Sequence, residues 1–503
     1  MIFQTVTFQR VTANDLGIFA GAKRYTQDAL ACAFRCSQEQ AVRIIKRLKE
    51  YGVLKAVTAS DRQRSLSDLV EEDIEIADVE IEENEYLYVF TFVGVITIEN
   101  RVLKCYPKYL LHNPAPKAEL KQVLKVLEKY HAKEQVIRMY QESNDNRSCQ
   151  LLAVMLFLLQ DYFEYGVYTN TQDILEINGP GDILWDKTIN ETFALISHNR
   201  PYYPELLTAR RVNNDSDYFK RLHACILTKC SEELEDADLM DLFDMVGVDI
   251  SDEQIADFGD RDYILERLSK ELHIQYHTRK QLLLKALHAY IAHSGTTDDL
   301  DCLRIFGTNS FHAVWEKVCA EVMDSQLQKP LGSLRLPVPL GEKYRNRRHK
   351  PLIDLIEHPV WTGIAPDGMP FYRAAADTLI PDLVSIAEHQ GDFAFIIFDA
   401  KYYNIQLEAD KPLRGQPGIE SIIKQYLYQL AYQPFVADHH IETVRNCFLL
   451  PTDQPEIISM GQVSLPMLDA LGLQSIQVRL LPAQMMYQHY IENAKMDIHL
   501  LHL

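Results

Sequence analysis

The chain has 503 residues, 47% hydrophobic and 10% aromatic, with a formal net charge of −20. That length suits two to four domains with separate cores, and no apolar run approaches the roughly 20 residues that span a bilayer. The first residues, Met1-Ile-Phe-Gln-Thr-Val6, lack a basic region followed by an apolar one, so neither a secretory leader nor a membrane partner is expected, and the location expected is cytoplasmic.

The 9 cysteines are scattered and include no Cys-x-x-Cys pair, which points to reduced thiols rather than a zinc site or disulfide framework. Two runs account for the whole acidic excess. Asp68 to Glu85 and Glu232 to Glu253 each hold ten acids and no base. Leu331 to Lys350 is the reverse, with Arg335, Lys343, Arg345, Arg347, Arg348 and Lys350 against Glu342 alone. A local basic patch of that kind can meet phosphates whatever the global sum, so the net charge excludes no nucleic acid.

Thr26 to Phe34 and Ser37 to Tyr51 read as two short helices. The second carries a capping box, Ser37 with Gln40, and an apolar stripe of Ala41, Ile44, Ile45, Leu48 and Tyr51. Gly52 stops it, and Val53-Leu54-Lys55 can begin a wing strand. The pattern predicts a winged-helix-like module over 1–66. Arg43, Lys46, Arg47 and Lys49 then give a basic face that reads either as DNA contact or as a solvated or protein-docking surface. Tyr86 to Ile98 is strongly β in composition, and Val102 to Tyr106 returns after Glu99-Asn100, ending at Pro107-Lys108-Tyr109.

From Ala118 to Val167 helical periodicity dominates, with Leu151 to Tyr162 apolar nearly all round. The turn Asn178-Gly-Pro-Gly181 then feeds a polar and aromatic segment with Trp185, Lys187 and Thr188, suited to holding a nucleic acid or partner, or to anchoring one domain on another. Residues 67–205 are read as one β-hairpin and helical docking region. Val212 to Ile291 reads as helices, among them Asp262 to Glu271 and Thr278 to Ala292, giving a helical scaffold over 206–299. The polar stretch Ser294 to Asp299 is the expected boundary to a last domain, 300–503.

That last domain carries the chemistry. Phe311 to Met323 predicts an amphipathic helix with Phe311, Val314, Trp315, Val318 and Val322 buried and Glu316 beside that stripe. Two apolar strands follow, and each holds charge. Pro381-Asp382 opens one, and Asp399-Ala400-Lys401 ends the other after Phe393-Ala-Phe-Ile-Ile-Phe398. Residues two apart on a strand share a face, so Asp399 and Lys401 stand together. Setting a carboxylate and an ammonium at the end of so apolar a strand costs stability unless they do chemistry. The 17 residues from Asp382 to Asp399 fit a strand, a turn at His389-Gln-Gly391 and a return strand.

Carboxylates are hard oxygen ligands that hold Mg²⁺ while leaving it several waters, so Asp382, Asp399 and, as a third, Glu316 are the candidate metal ligands, with Mn²⁺ a substitute. Lys401 on the same face is placed to orient an attacking water or to neutralise charge developing on a phosphoryl group. In the next helix, Ile419 to Tyr432, the spacing sets Gln425, Gln429 and Tyr432 on one polar face and Ile423, Leu427 and Leu430 on the core side. Gln425 is the candidate helper at the site. Lys424 and Tyr428 alongside it, Lys411 and Arg414 in the preceding Gly/Pro loop, and Arg345, Arg347 and Arg348 are the candidate DNA contacts. His439-His440 has no partners at ligand spacing and is read as packed or solvated rather than metal-bound.

Pro381-Asp382 with Asp399-Ala-Lys401 resembles the signature of the PD-(D/E)xK nuclease superfamily. Phe311-His-x-x-Trp-Glu-Lys-x-Cys319, the 424–432 helix and Asn178 to Ile189 together resemble the LlaJI-type restriction endonuclease subunit, a family similar to McrC, the nuclease half of McrBC systems. Tyr86 to Lys108 is similar to the N-terminal hairpin of McrC-like proteins. The spacings Gln425-x-x-Tyr428 and Gln429-x-x-Tyr432 depart from the superfamily's Gln-x-x-x-Tyr.

The resemblance implies an α+β multidomain chain with a C-terminal mixed α/β restriction-endonuclease-like domain. It implies metal-dependent cleavage of double-stranded DNA in defence against phage, and a McrB-like AAA+ GTPase partner that this chain stimulates. The chain contains no Gly-x-x-x-x-Gly-Lys-Ser/Thr of its own, so nucleotide hydrolysis must come from that partner. Two rivals stay open: a non-catalytic DNA-binding adaptor in the same kind of complex, and a winged-helix regulator.

Overall fold

The computed structural model of the chain describes residues 17–19, 25–58, 86–98, 101–110, 113, 116–131, 151–169, 171–198, 200–213, 217–237, 239–293, 304–389 and 391–503. The Asp68 to Glu85 run and the Ser294 to Asp299 boundary lie outside the described residues. Among those described, the fold is mixed α and β with several separate sheets. It divides into two compact units, one holding residues 132–305 with the short stretch 97–101, the other 14–96, 102–131 and 306–503.

In the first unit, helices Leu151–Tyr165, Tyr218–Asp236, Arg261–Ile274 and Thr278–His293 form the scaffold. Leu151 to Leu159 is buried nearly all round, as its continuous apolar run dictates. A bidentate pair ties the helices together, Arg279 Nε and Nη2 to Asp161 at 2.9 and 2.6 Å. A small sheet pairs Leu207–Asn213 antiparallel with both Thr171–Ile177 and Asp182–Ile183. Trp185 stands on the short helix Trp185–Glu191 with 53% of its surface exposed.

The second unit opens with helices Gln27–Phe34 and Gln38–Glu50. The Ser37–Gln40 capping box forms, and Ala41, Ile44, Ile45 and Leu48 are buried while Arg43 and Lys46 are exposed. Strand Leu54–Thr58 pairs antiparallel with Tyr86–Phe90. The stretch expected as one strand from Tyr86 to Ile98 is therefore two. The chain changes sheets at Thr91, whose hydroxyl caps the Gly52 carbonyl at 2.9 Å. Val93–Ile98 then joins a four-stranded sheet between Arg101–Tyr106 and Arg304–Thr308. Gly94 and Gly307 cross there so closely that a Cβ on either would strike the other strand's main chain, and each takes a positive φ.

The rest of this unit is organised on a five-stranded sheet. Its strands are β1 (Leu383–His389), β2 (Asp392–Ala400), β3 (Thr443–Thr452), β4 (Ile458–Val463) and β5 (Ile476–Pro482), in the order β1-β2-β3-β5-β4. β1 and β2 form the antiparallel hairpin expected from the spacing, Leu383 opposite Phe398. β2, β3 and β5 run parallel, and parallel strands covered on both faces must be apolar throughout. Helices α1 (Phe311–Val322), α2 (Ile419–Asp438) and α3 (Ala483–Glu492) cover it. The stripe predicted on α1 is buried in full: Phe311, Val314, Trp315, Val318 and Val322.

The face expected of α2 is inverted. Gln425, Tyr426, Tyr428, Gln429, Tyr432, Phe435 and Val436 are buried, while Ile423 and Leu427 lie exposed. Aromatic bodies bury more area than Ile or Leu, and they set the orientation. Tyr432 stacks on Phe395 at 5.1 Å and Phe435 on His439 at 4.3 Å. The two amides follow them inward because the core supplies partners, as Asn446 Nδ2 donates to Gln429 Oε1 at 2.6 Å.

Candidate active site

The site lies at the C-terminal end of β2, where α1 and the segment before β1 meet it. Asp382 precedes β1, and its Oδ2 accepts a hydrogen bond from the Ala400 N–H at 2.7 Å. Asp399, the next-to-last residue of β2, is 4% exposed, and Lys401 Nζ reaches its Oδ2 at 3.0 Å. The shared face expected for Asp399 and Lys401 is therefore observed.

Glu316 is placed by its neighbour. The Trp315 indole Nε1 donates to the Leu449 carbonyl of β3 at 3.1 Å, and the same carbonyl accepts the Lys401 main-chain N–H at 2.9 Å. One oxygen thus fixes both the helix that bears Glu316 and the strand end that bears Lys401.

The electrostatics follow from crowding acids at a buried edge. Burial first, then Asp399 and Glu316, holds the Asp382 carboxyl well above the usual range despite the pull of Lys401. Burial and Asp399 raise Glu316 as well. Burial alone would lower Lys401, but Asp399, Asp382 and Glu316 outweigh it and its pKa is raised. Paired carboxylates that resist ionising together suit a divalent cation, which relieves burial and repulsion at once. Among the described residues no group of three His, Cys, Asp or Glu side chains is placed to hold a metal ion, so the expected trio with Glu316 as third ligand is not assembled. Asp382 and Asp399 are two hard oxygen donors at one strand end, a set that fits an ion keeping several waters.

The other candidates fall into two groups. Gln425 is fully buried and donates through Nε2 to the Ile397 carbonyl at 2.8 Å, two residues before Asp399. It bonds to the strand, not to the acids. Tyr428, expected to touch DNA, is 6% exposed and its hydroxyl donates to the Ile380 carbonyl at 2.9 Å. Its place is behind Pro381-Asp382 rather than at a DNA surface. The aromatic body that made it a plausible stacking group is what buries it.

Arg345, Arg347, Arg348, Lys411, Arg414 and Lys424 are all exposed. Lys411 pairs with Glu408 at 2.8 Å, Lys424 with Glu420 at 2.5 Å and Arg345 with Glu342 at 3.3 Å, surface pairs that a phosphate can displace. His439 is buried, its Nδ1 2.7 Å from the Phe435 carbonyl and its Nε2 accepting from the Gly341 N–H at 3.1 Å, so neither nitrogen is left for a metal.

Sequence reasoning missed Asn446. It is fully buried on β3, with Oδ1 3.4 Å from Gln425 Nε2 and Nδ2 bound to Gln429. The available signal was an amide heading the apolar run Cys447 to Leu450.

The sequence profile of the LlaJI restriction endonuclease family matches residues 92–337 and 347–481. The chain is 26% identical over 415 residues to a type II restriction enzyme BsuMI component, YdjA, of Bacillus subtilis (strain 168), covering 80% of this chain and 81% of that protein. Among solved structures it is similar to a Thermococcus gammatolerans assembly of McrB AAA+ hexamers with bound McrC, at TM-score 0.37 and 10% identity, covering 95% of this chain and 99% of that one. A second is the McrBC complex of the same organism, at TM-score 0.22 and 12% identity, covering 55% of this chain and 79% of that one.

Proposed function

The chain belongs to the LlaJI restriction endonuclease family, and on that premise we propose that it is the DNA-cutting subunit of a restriction system, a Mg²⁺-dependent endonuclease with a PD-(D/E)xK core. The observation that carries this reading is the meeting of Asp382, Asp399, Lys401 and Glu316 at one strand end. Asp382 and Asp399 hold the ion, with Mn²⁺ a substitute. When bound, the ion supplies a water of lowered pKa and charge stabilisation at the phosphoryl oxygens. Glu316 accepts a proton or hydrogen bond from water at the edge of the pair. Lys401 orients the attacking water and neutralises charge developing on the phosphoryl oxygens. Gln425 and Tyr428 act as positioning residues through the Ile397 and Ile380 main chain. Arg345, Arg347, Arg348, Lys411, Arg414 and Lys424 carry the duplex by its phosphates, without sequence readout.

The likeness to McrC-like subunits extends the proposal to a McrB-like AAA+ GTPase partner in the cytoplasm, which this chain stimulates. The test is cleavage of a duplex by the purified complex with Mg²⁺ against EDTA. Metal-dependent cutting supports the reading. DNA binding without cutting under any divalent metal overturns it in favour of a non-catalytic adaptor.

A further inference from the structure

Between the basic run and Asp382 the chain forms a two-stranded ribbon, Val360–Ile364 antiparallel to Pro370–Ala374, which joins no third strand among the described residues. Every residue of it except Gly363 is exposed. Val360, Trp361, Ile364, Phe371 and Tyr372 are among them, Trp361 with 72% of its surface in water. An isolated ribbon is marginal in water, and one that leaves its large apolar side chains outside is shaped for contact. Main-chain bonds hold its two ends. The Ala375 N–H donates to the Pro359 carbonyl at 2.8 Å and the Ala365 N–H to the Met369 carbonyl at 2.9 Å.

Alternation along the strands puts Trp361, Gly363, Phe371 and Arg373 on one face. The Phe371 ring lies across Gly363, where a Cβ would strike it. The Arg373 guanidinium carbon is 5.3 Å from the centroid of that ring, and Trp361 stands directly opposite Arg373. Arg373 donates to the adjacent Tyr372 carbonyl at 2.9 Å; among the described residues no carboxylate pairs with it.

Charge and place select the occupant. From Pro359 to Ala375 the only charged residues are Arg373 and Asp367, and Asp367 is engaged in the turn, its Oδ1 accepting the Met369 N–H at 3.0 Å. The face therefore presents an unpaired guanidinium among rings, a combination suited to nucleic acid. The exposed Arg345, Arg347 and Arg348 precede the ribbon in the chain. At its base Lys350 and Asp354 share a cleft with His358, Asp377, Thr378 and Ile380. The Thr378 hydroxyl donates to the Glu357 carbonyl at 2.8 Å, closing that base, and Asp382 follows within about 14 Å of chain. The five residue pairs span about 16 Å, and the major groove, about 12 Å wide, admits a two-stranded ribbon.

We propose that this ribbon enters the major groove of duplex DNA beside the acids, with Trp361, Phe371 and Arg373 against the base edges. That the contact lies next to a cut rests on the nuclease reading above; the DNA contact itself does not.

The test uses the full-length chain and a fluorescein-labelled duplex with Ca²⁺ in place of Mg²⁺. Affinity is measured against salt for wild type, Trp361→Ala, Arg373→Ala and Arg347→Ala, and tryptophan emission is followed in wild type and Trp361→Phe. The expected result is a DNA-dependent change in emission that Trp361→Phe abolishes. Trp361→Ala and Arg373→Ala should each weaken binding about tenfold. Trp361→Ala should leave the slope of log K against log salt unchanged, whereas Arg347→Ala lowers it by roughly one. Unchanged thermal midpoints show that the ribbon variants are folded; if Trp361→Ala is not, Arg373→Ala carries the comparison. DNA binding through Trp361 in a protein that cuts nothing upholds the ribbon contact and sinks the nuclease reading. Cutting by a protein whose emission and duplex affinity ignore both ribbon residues sinks the ribbon contact alone. Unchanged duplex affinity with lost self-association of Trp361→Ala in sedimentation would make the ribbon a contact between copies of this chain and overturn the proposal.

Discussion

Asp382 Oδ2 accepts the N–H of Ala400 at 2.7 Å, and Ala400 is the residue between Asp399 and Lys401. This bond locks the segment before β1 to the end of β2. It places two carboxylates at one buried edge by main-chain geometry, whatever occupies the site.

That placement costs the metal-free protein stability. The Asp382 pKa is raised in the folded chain, so the native state binds more protons than the unfolded one above the ordinary carboxylate range. Stability should be highest below the unfolded value, fall as pH rises toward the folded pKa, and level off above it. Asp382→Asn keeps an oxygen for Ala400 and removes the charge. It should raise the thermal midpoint at neutral pH by roughly 2–4 °C without metal, and flatten the pH dependence. Adding Mg²⁺ should stabilise wild type more than the variant. Scanning calorimetry from pH 4 to 8 decides this, and an unchanged slope would show that the two acids do not repel.

Trp315→Phe removes the indole donor that shares the Leu449 carbonyl with Lys401. The lost bond and the small cavity together should cost about 2–3 kcal/mol. Because the helix carrying Glu316 is held by that bond, cleavage should fall in protein that is still folded. Urea unfolding beside single-turnover cleavage measures both. Lost stability with full activity would detach Glu316 from the chemistry.

Gln425→Ala should act through the fold. It frees a buried Ile397 carbonyl contact and leaves Asn446 with one partner fewer. A loss of about 1–3 kcal/mol is expected, with activity recovering as temperature is lowered. A large drop in cleavage at unchanged stability would instead give Gln425 a direct part.

Lys401→Ala should abolish cutting while GTP hydrolysis by the proposed AAA+ partner is still stimulated, since Lys401 stands at the acids. Nucleotide turnover by the mixed proteins, with and without the variant, reads this out. If stimulation disappears from the folded variant, docking and cutting are not separate.

The acidic pair, its lysine and the α1 stripe were legible because charge in an apolar strand is conspicuous and helical spacing fixed which side of α1 is buried. α2 was misread because Ile and Leu were given the core and Tyr the surface; the tyrosines won on area, and Gln425 and Gln429 went in with them. Tyr428 passed from DNA contact to support of Ile380 for the same reason. The switch of sheets at Thr91 left no mark in a uniformly β-prone run. Lys108 lies 294 residues before Tyr402, whose hydroxyl accepts its main-chain N–H, a separation that only the folded chain closes.

The most direct measurement is duplex cleavage by Asp399→Asn, assembled with the proposed AAA+ partner under saturating Mg²⁺ and compared with wild type. A carboxamide keeps the shape and removes the ligand charge, so the account predicts cleavage reduced at least about a thousandfold with GTP hydrolysis intact. Cleavage at the wild-type rate would contradict it.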